Sequence, residues 1–279
     1  MQISEALIWG AQALEGGESP KLDCKVLLCH ILDVSTTYLH TWPDKEITAK
    51  QLAQFEHCVA RRKSGEPIAY ITGERDFWSL TLKTNPSTLI PRPETELLVE
   101  QAIALPIENA RCLDLGTGTG AIALAIASEK PSWRLVAVDR VAEAVSLAKQ
   151  NAALNNIKNI ELLVSNWFEV IPVQKFDIIV SNPPYVESNS PYLKKGDLRF
   201  EPISALASGA DGLEDIEKII DDSVSYLNTD GWLMLEHGWQ QAEAIQQYLR
   251  EQKFTNVSTV KDLNELDRIT VAQLSVAYP

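Results

Sequence analysis

The most specific chemical pattern in the sequence is the four-residue run Asn182-Pro183-Pro184-Tyr185. It directly follows the apolar segment 176–181, which is typical of a buried parallel strand. Neither proline can donate an N–H to a strand ladder, and Asn182 precedes a proline, so the run predicts a stiff turn at the carboxyl end of that strand. The turn offers an amide, backbone carbonyls and an aromatic ring, which suit a planar, neutral group that donates hydrogen bonds. In isolation the motif is equally compatible with a proline-stiffened surface loop.

Three further features predict a nucleotide-like ligand at neighbouring strand ends. The glycine-rich run 116–120 joins a predicted strand to a helix, which alone is a weak dinucleotide fingerprint. Asp139 ends the next strand, where a carboxylate can bind two ribose hydroxyls. Trp167 follows the third strand, and its indole can pack against an adenine ring. Each feature alone fits a plain turn, a helix cap or a core residue, but their occurrence at successive strand ends favours one ligand site.

The elements that must position these residues begin near residue 110, where predicted strands and helices alternate. This alternation predicts a mostly parallel sheet covered by helices on both faces. The seven predicted strands are residues 110–114, 133–138, 160–164, 176–181, 231–236, 254–260 and 268–274. Ligands of such sheets bind outside the carboxyl ends of the strands, so we expect all four features to converge at one edge.

The preceding residues show a different organisation. Residues 1–75 contain helical periodicity without a convincing strand, including a helix opened by Pro20 with Leu22 on its apolar face and a capping box at 48–51. Residues 76–82 then alternate with period two, and Asn85-Pro86-Ser87 is predicted to supply the turn of a β-hairpin. We therefore predict a helical, substrate-docking domain at 1–75, and a hairpin linker followed by the catalytic domain at 76–279.

Composition excludes several classes of function. The net charge of −13 argues against a partner bound mainly through phosphates, so no direct nucleic-acid binding is expected. No apolar run approaches membrane-spanning length, and the first residues lack the pattern of a signal peptide. The four cysteines form no C-x-x-C pair and the four histidines show no ligand spacing, which predicts free thiols, a cytoplasmic protein and no metal site.

Together these motifs resemble the class I S-adenosylmethionine-dependent methyltransferases. The whole chain is similar to the release factor glutamine methyltransferase family. The segments that carry this similarity are PSTLIPRPETE, DLGTGTGAIAL, VAVD, SNPPY, RFEP and LEHG. The resemblance implies a Rossmann-like, mostly parallel seven-stranded sheet with a small N-terminal helical bundle joined by a β-hairpin. It also implies methyl transfer from S-adenosylmethionine to the glutamine side-chain nitrogen in the Gly-Gly-Gln loop of peptide chain release factors. We expect a monomer, although nothing in the sequence separates a monomer from a dimer.

The resemblance also implies roles for individual residues. The predicted cofactor-binding residues are Gly116, Thr117, Gly118, Thr119, Gly120, Asp139, Trp167 and Asn182. The predicted substrate-binding residues are Asn182, Pro183, Pro184 and Tyr185, of which Asn182, Pro183 and Tyr185 are the catalytic set. Asn166 stands where methyltransferases often have an acid that accepts a bond from the adenine amino group; its amide oxygen can still accept.

The predicted mechanism rests on alignment of the substrate amide. The Asn182 side-chain oxygen and the Pro183 carbonyl each accept one N–H of the substrate, and Tyr185 packs on the flat face of the amide. No histidine or glutamate is expected at a strand end beside Asn182, so no general base is predicted and the proton leaves to water after transfer.

The sequence leaves three alternatives open. A nucleic-acid amino-methyltransferase uses the same four-residue turn on adenine or guanine, although the acidic composition disfavours it. A nicotinamide oxidoreductase explains the glycines and Asp139 but not the proline turn. A non-catalytic adapter that uses the helical domain leaves the complete cofactor set unexplained.

Overall fold

The computed structural model describes residues 1–172 and 174–275, which pack as two compact units. The first unit, here called the helical unit, comprises Met1–Glu74 together with Gly196–Phe200. The second, here called the sheet unit, comprises Arg75–Lys195 and the described residues from Glu201 onward.

Five helices form the helical unit: α1 Ile3–Ala13, α2 Pro20–Leu32, α3 Thr36–Thr41, α4 Ala49–Lys63 and α5 Ile68–Thr72. α4 begins at the predicted capping box, where Thr48 and Gln51 exchange backbone-to-side-chain hydrogen bonds. The centre of the unit's hydrophobic core contains Leu27, Leu28 and Phe55, each of which is fully buried. The prediction that Leu22 lies on the buried face of α2 was wrong, since Leu22 is exposed. The face of α2 that carries Leu27 is buried instead, and α2 packs against α1 and α4.

The five residues Gly196–Phe200 belong to the helical unit through polar contacts with α4. The Arg62 guanidinium bridges Asp23, at 2.7 Å, and Asp197, at 2.9 Å. Arg199 donates to the backbone carbonyl of Ser64, at 2.8 Å. These charge-assisted hydrogen bonds stabilise the end of α4 and hold the distant segment 196–200 against it.

A two-stranded hairpin, β1 Glu74–Phe77 and β2 Leu80–Lys83, follows α5. Its turn lies at Trp78-Ser79 and not at the predicted 85–87, which forms a separate turn after β2. Trp78 adopts a left-handed backbone with φ of 57°. Its amide N–H donates to Glu96 at 2.7 Å and its indole N–H donates to Glu129 at 2.7 Å. These two acceptors stabilise a backbone conformation that a tryptophan rarely adopts.

The sheet unit contains the predicted seven-stranded, mostly parallel sheet, which confirms the predicted fold class. Its strands are β3 Arg111–Leu115, β4 Arg134–Asp139, β5 Ile160–Val164, β6 Phe176–Ser181, β7 Leu227–Glu236, β8 Phe254–Lys261 and β9 Asp267–Leu274. Their spatial order is β5-β4-β3-β6-β7-β9-β8, and β9 runs in the opposite direction to the other six strands. The helices that cover the sheet are α6 Glu96–Ile103, α7 Ala121–Glu129, α8 Ala142–Leu154, α9 Glu214–Tyr226 and α10 Ala242–Glu251.

Strand order explains where a ligand can bind. From β3 the chain moves outward through β4 to β5, then returns to place β6 on the other side of β3. The connections that follow β3 and β6 therefore run to opposite faces of the sheet. This leaves a crevice outside the carboxyl ends of these two strands. Buried apolar clusters pack on both faces of the strands. Across residues 1–172 and 174–275, no helix combines the length and apolarity needed to cross a bilayer.

Candidate active site

A cleft of about 880 Å³, counted out to its open mouth, lies at the carboxyl ends of β3, β4, β5 and β6. The predicted site residues that line it are Gly116, Thr117, Gly118, Thr119, Asp139, Trp167, Asn182 and Pro184. The other predicted residues, Gly120, Pro183 and Tyr185, do not line it.

The glycine-rich turn forms the floor of the cleft next to Trp167. The amide N–H groups of Gly116 and Thr117 both donate to the carbonyl of Val138, at 2.9 and 2.8 Å, which folds the turn over the end of β4. Gly116 has φ of 74°, and a Cβ placed on it would lie 3.3 Å from the Trp167 ring. A side chain there would push against the indole, so glycine keeps the cleft open.

Gly120 has a packing role at the beginning of α7. It has φ of 86°, and a Cβ there would lie 2.9 Å from Leu124 and 3.2 Å from the Cβ of Ala148 on α8. Its missing side chain thus allows α7 and α8 to approach each other behind the turn. The sequence could not separate this role from ligand contact, because both require glycine.

Asp139 stands at the tip of β4 with its carboxylate held by backbone. Oδ2 accepts the N–H of Gly118 and Oδ1 accepts the N–H of Val141, both at 2.9 Å. Burial raises the pKa of Asp139, while these two N–H groups and Arg140 act in the opposite direction. Each carboxylate oxygen has a second lone pair, so the group can accept further hydrogen bonds from hydroxyls in the cleft.

Trp167 and Asn166 lie at the tip of β5. Trp167 adopts a left-handed backbone with φ of 48°, and its indole N–H donates to Asp215 at 3.2 Å. Asn166 is more exposed, and its amide nitrogen donates to Glu169 at 2.7 Å. That bond directs the amide so that its carbonyl oxygen remains as the acceptor.

The proline turn follows β6, whose last residue is hydrogen-bonded to the neighbouring strand β3. Ser181 donates its hydroxyl to the carbonyl of Leu115, at 2.7 Å, which ties the ends of β6 and β3 together. Pro183 and Pro184 are buried, whereas Asn182 is half-buried at the wall of the cleft. The Asn182 amide nitrogen donates to the Thr95 hydroxyl, at 3.2 Å.

Tyr185 is turned from the cleft towards the end of β7. Its hydroxyl donates to Oε1 of Glu236 at 3.5 Å, and its backbone carbonyl accepts from Gln241 at 3.1 Å. Burial and the carboxyl of Glu236 raise the pKa of Tyr185, so the phenol stays protonated. Its predicted contact with the flat face of the substrate amide stays a prediction.

The expectation that no glutamate stands beside Asn182 was wrong. β6 pairs with β7 so that Ser181 is level with Leu235, and this register brings Glu236 next to the turn. Glu236 is fully buried and does not line the cleft, so it cannot accept a proton from a ligand directly. The available signal was an acid at the end of a predicted strand, but the sequence does not tell which strands are neighbours.

Two further carboxyl groups near the cleft were assigned no role from the sequence, although Asp114 opens the segment DLGTGTGAIAL and Glu201 lies in RFEP. Asp114 is fully buried below the glycine-rich turn and accepts the Thr117 hydroxyl at 2.6 Å. Burial raises its pKa to about 7. Glu201 is buried and accepts both the Arg92 guanidinium and the amide N–H of Ile90. It thereby holds Arg92, which lines the cleft.

The donor set does not resemble a metal centre. Among the described residues, no group of three or more histidine, cysteine, aspartate or glutamate side chains could hold a metal ion. The cysteines Cys24, Cys29, Cys58 and Cys112 are all free thiols.

Two family models match separate segments of the chain. A family model described as "PrmC N-terminal domain" matches residues 5–73, and one described as "Methyltransferase small domain" matches residues 93–194. The fold of a methyltransferase from Pyrococcus furiosus is similar, with a TM-score of 0.55 at 17% identity, covering 82% of this chain and 100% of the other.

Sequence relatives span nearly the whole chain. The release factor glutamine methyltransferase of Aliivibrio fischeri is 51% identical over 93% of this chain and 92% of its own length. The protein of the same name from Yersinia pestis is 50% identical over 99% of this chain and 100% of its own length. The sheet has the fold of a methyltransferase, and the cleft lies where the chain connections diverge between β3 and β6. Together with identities of about half over nearly the full length of these relatives, this shows that the chain belongs to the release factor glutamine methyltransferase family.

Proposed function

We propose that this enzyme transfers a methyl group from S-adenosylmethionine to the side-chain nitrogen of glutamine in the Gly-Gly-Gln loop of peptide chain release factors. Family membership supports the reaction and its cofactor. The single observation that carries the assignment to this cleft is that Asn182 lines the same cavity as the glycine-rich turn and Asp139. An amide-binding turn and a nucleotide-type site therefore open into the same space.

The residues of the cleft fit S-adenosylmethionine. Asp139 would accept the two ribose hydroxyls, and Trp167 with Asn166 would border the adenine. Gly116 leaves room beside the Trp167 ring, where a Cβ would make a tight contact of 3.3 Å. When bound, the cofactor supplies an electrophilic methyl group on a sulfonium sulfur.

The protein must then align a weak nucleophile, since the nitrogen lone pair of a carboxamide is delocalised into its carbonyl. The Asn182 Oδ1 and the Pro183 carbonyl would each accept one N–H of the substrate, which orients the nitrogen and stabilises positive charge as it develops. The rings of Pro183 and Pro184 carry no N–H that could compete for these acceptors. Tyr185 would border the planar amide. Because Glu236 lies outside the cleft lining, the proton would leave to water after transfer.

The helical unit is proposed as the docking domain for the release factor. It supplies none of the residues that line the cleft, and a distinct family model covers it. We assign the release factor as a protein partner, with residues 1–75 as the docking domain and 76–279 as the hairpin and catalytic domain. The free thiols of all four cysteines favour a reducing, cytoplasmic setting, and we propose a monomer without direct nucleic-acid binding.

The test is methyl transfer from labelled S-adenosylmethionine to a purified release factor, with the label located by mass spectrometry. Label on the glutamine of the Gly-Gly-Gln loop is the expected result, and a release factor with asparagine at that position is the matched control. Label on the control at the same rate would contradict the assignment. Transfer to naked DNA or rRNA, with none to release factor, would instead favour the nucleic-acid alternative.

A further inference from the structure

The segment 87–95 forms one wall of the cleft and connects the two turns that border it. A Cβ placed on Gly118, in the glycine-rich turn, would lie 3.8 Å from the Cβ of Thr88. At the other end of the segment, the Thr95 hydroxyl accepts a hydrogen bond from the Asn182 amide nitrogen, at 3.2 Å. A ligand that extends from the glycine-rich turn to the proline turn therefore lies against this segment.

Within this segment, the Arg92 guanidinium lines the cleft and is held by a buried carboxylate. Its Nη2 donates to Oε1 of Glu201, whose side chain is 0% exposed, whereas the Arg92 side chain is 31% exposed. The other carboxylate oxygen of Glu201 accepts the N–H of Ile90, at 3.0 Å, so Glu201 is anchored to the backbone that carries Arg92. A guanidinium has five N–H donors, so Arg92 can bind Glu201 and a ligand at the same time.

The positive charges of the cleft lie at two different places. Arg92 and Arg140 are the two basic side chains among the described residues that line it. Arg140 directly follows Asp139, where the ribose is proposed to bind. The backbone carbonyl of Arg92 instead accepts the N–H of Thr95, at 3.1 Å, which places Arg92 near the Asn182 end of the cleft. An anionic group at that end of a ligand therefore has Arg92 as its cationic partner.

S-adenosylmethionine carries one anionic group, the α-carboxylate of its methionine tail, which lies beyond the sulfonium sulfur as seen from the ribose. We propose that Arg92 binds this carboxylate and that Glu201 is the positioning residue that holds Arg92 for it. The inference rests on the proposed function, from which it takes the cofactor and the ribose site at Asp139. Contacts at both ends of the cofactor would fix the sulfonium between them, beside the turn that holds the nucleophile.

The test is calorimetric titration with S-adenosylmethionine and with its decarboxylated analogue, which has hydrogen in place of the carboxylate. The wild type should bind S-adenosylmethionine roughly 10- to 100-fold more tightly than the analogue, because a charge-assisted bond is lost with the carboxylate. Long-range attraction to a chain of net charge −13 acts in the opposite direction, since the analogue is the more cationic ligand. Arg92→Met should bind both ligands with similar affinity. Arg140→Met is the matched control, because Arg140 donates to the carbonyl of Ser204, and it should keep the wild-type ratio of affinities.

Glu201→Gln tests the positioning role, since glutamine keeps the shape of the side chain but loses its charge. The ratio of affinities should fall several-fold in the Arg92 background and should not change in the Arg92→Met background, because Glu201 acts through Arg92. The ratio is taken within each variant, so a smaller folded fraction does not alter it. A lowered melting temperature with the ratio unchanged in Arg92→Met would show an ion pair that only stabilises the fold, which overturns the proposal; an unchanged ratio in Glu201→Gln overturns the role of Glu201. Failure of the wild type to bind either ligand would overturn the proposed function, whereas equal binding of both overturns this inference alone.

Discussion

Replacing Asn182 tests the centre of the proposed mechanism. Asn182→Ala removes the acceptor for the substrate NH2 and also the donor to Thr95. Asn182→Asp keeps an oxygen in place but replaces the amide donor by a charged acceptor, so the Thr95 hydroxyl would have to donate where it now accepts. The aspartate therefore cannot simply stand in for the amide oxygen.

The magnitudes separate binding from alignment. One neutral hydrogen bond contributes about 0.5–1.5 kcal/mol, so substrate affinity should fall by roughly tenfold at most. Loss of alignment of the reacting nitrogen costs on the order of 100-fold in rate, equivalent to about 2.7 kcal/mol in the barrier. For Asn182→Asp we expect a rate at least as low as for alanine at pH 8, because the variant loses the amide donor to Thr95 and places a negative charge where the substrate amide must bind.

The assay is single-turnover transfer to release factor, run beside calorimetric titration with S-adenosylmethionine to report the cofactor site separately. Asn264→Asp makes the same chemical change on an exposed loop and should transfer at the wild-type rate. If Asn182→Asp proved clearly faster than Asn182→Ala, the bond from the amide nitrogen to Thr95 would be unimportant. Wild-type transfer by Asn182→Ala would place the reacting centre elsewhere.

Three other outcomes are expected. Asp139→Ala should weaken S-adenosylmethionine binding by about 1.5–3 kcal/mol, since charge-assisted bonds to ribose are lost; unchanged calorimetric affinity in a folded variant would remove Asp139 from the site. Gly120→Ala should lower the melting temperature, because the added Cβ would lie 2.9 Å from Leu124 and alanine disfavours a φ of 86°. A melting temperature equal to that of the wild type would contradict the packing role of Gly120. A fragment beginning at Asp76 should bind cofactor yet methylate intact release factor slowly, and a full rate with that fragment would contradict the docking role.

Local pattern was enough to predict most of the fold. The seven predicted strands all occur. The central strands β3 and β6 are buried on both faces and so are apolar along most of their length, which makes them stand out between amphipathic helices. The glycine-rich turn, Asp139 and Asn182 were predicted to share one edge of the sheet, and all of them line or border one cleft. This follows from chain direction alone, since parallel strands end at the same edge.

What the sequence could not decide depends on which segments are neighbours. The hairpin turn lies at Trp78 because Glu96 and Glu129 accept its N–H groups, and both acceptors are distant in the chain. Glu236 is 51 residues from Tyr185 and meets it only through the register of β6 with β7. Local composition determines which segments form strands and which residues end them. Strand order, register and burial determine which of those ends meet, and so which carboxyl is buried beside Asn182.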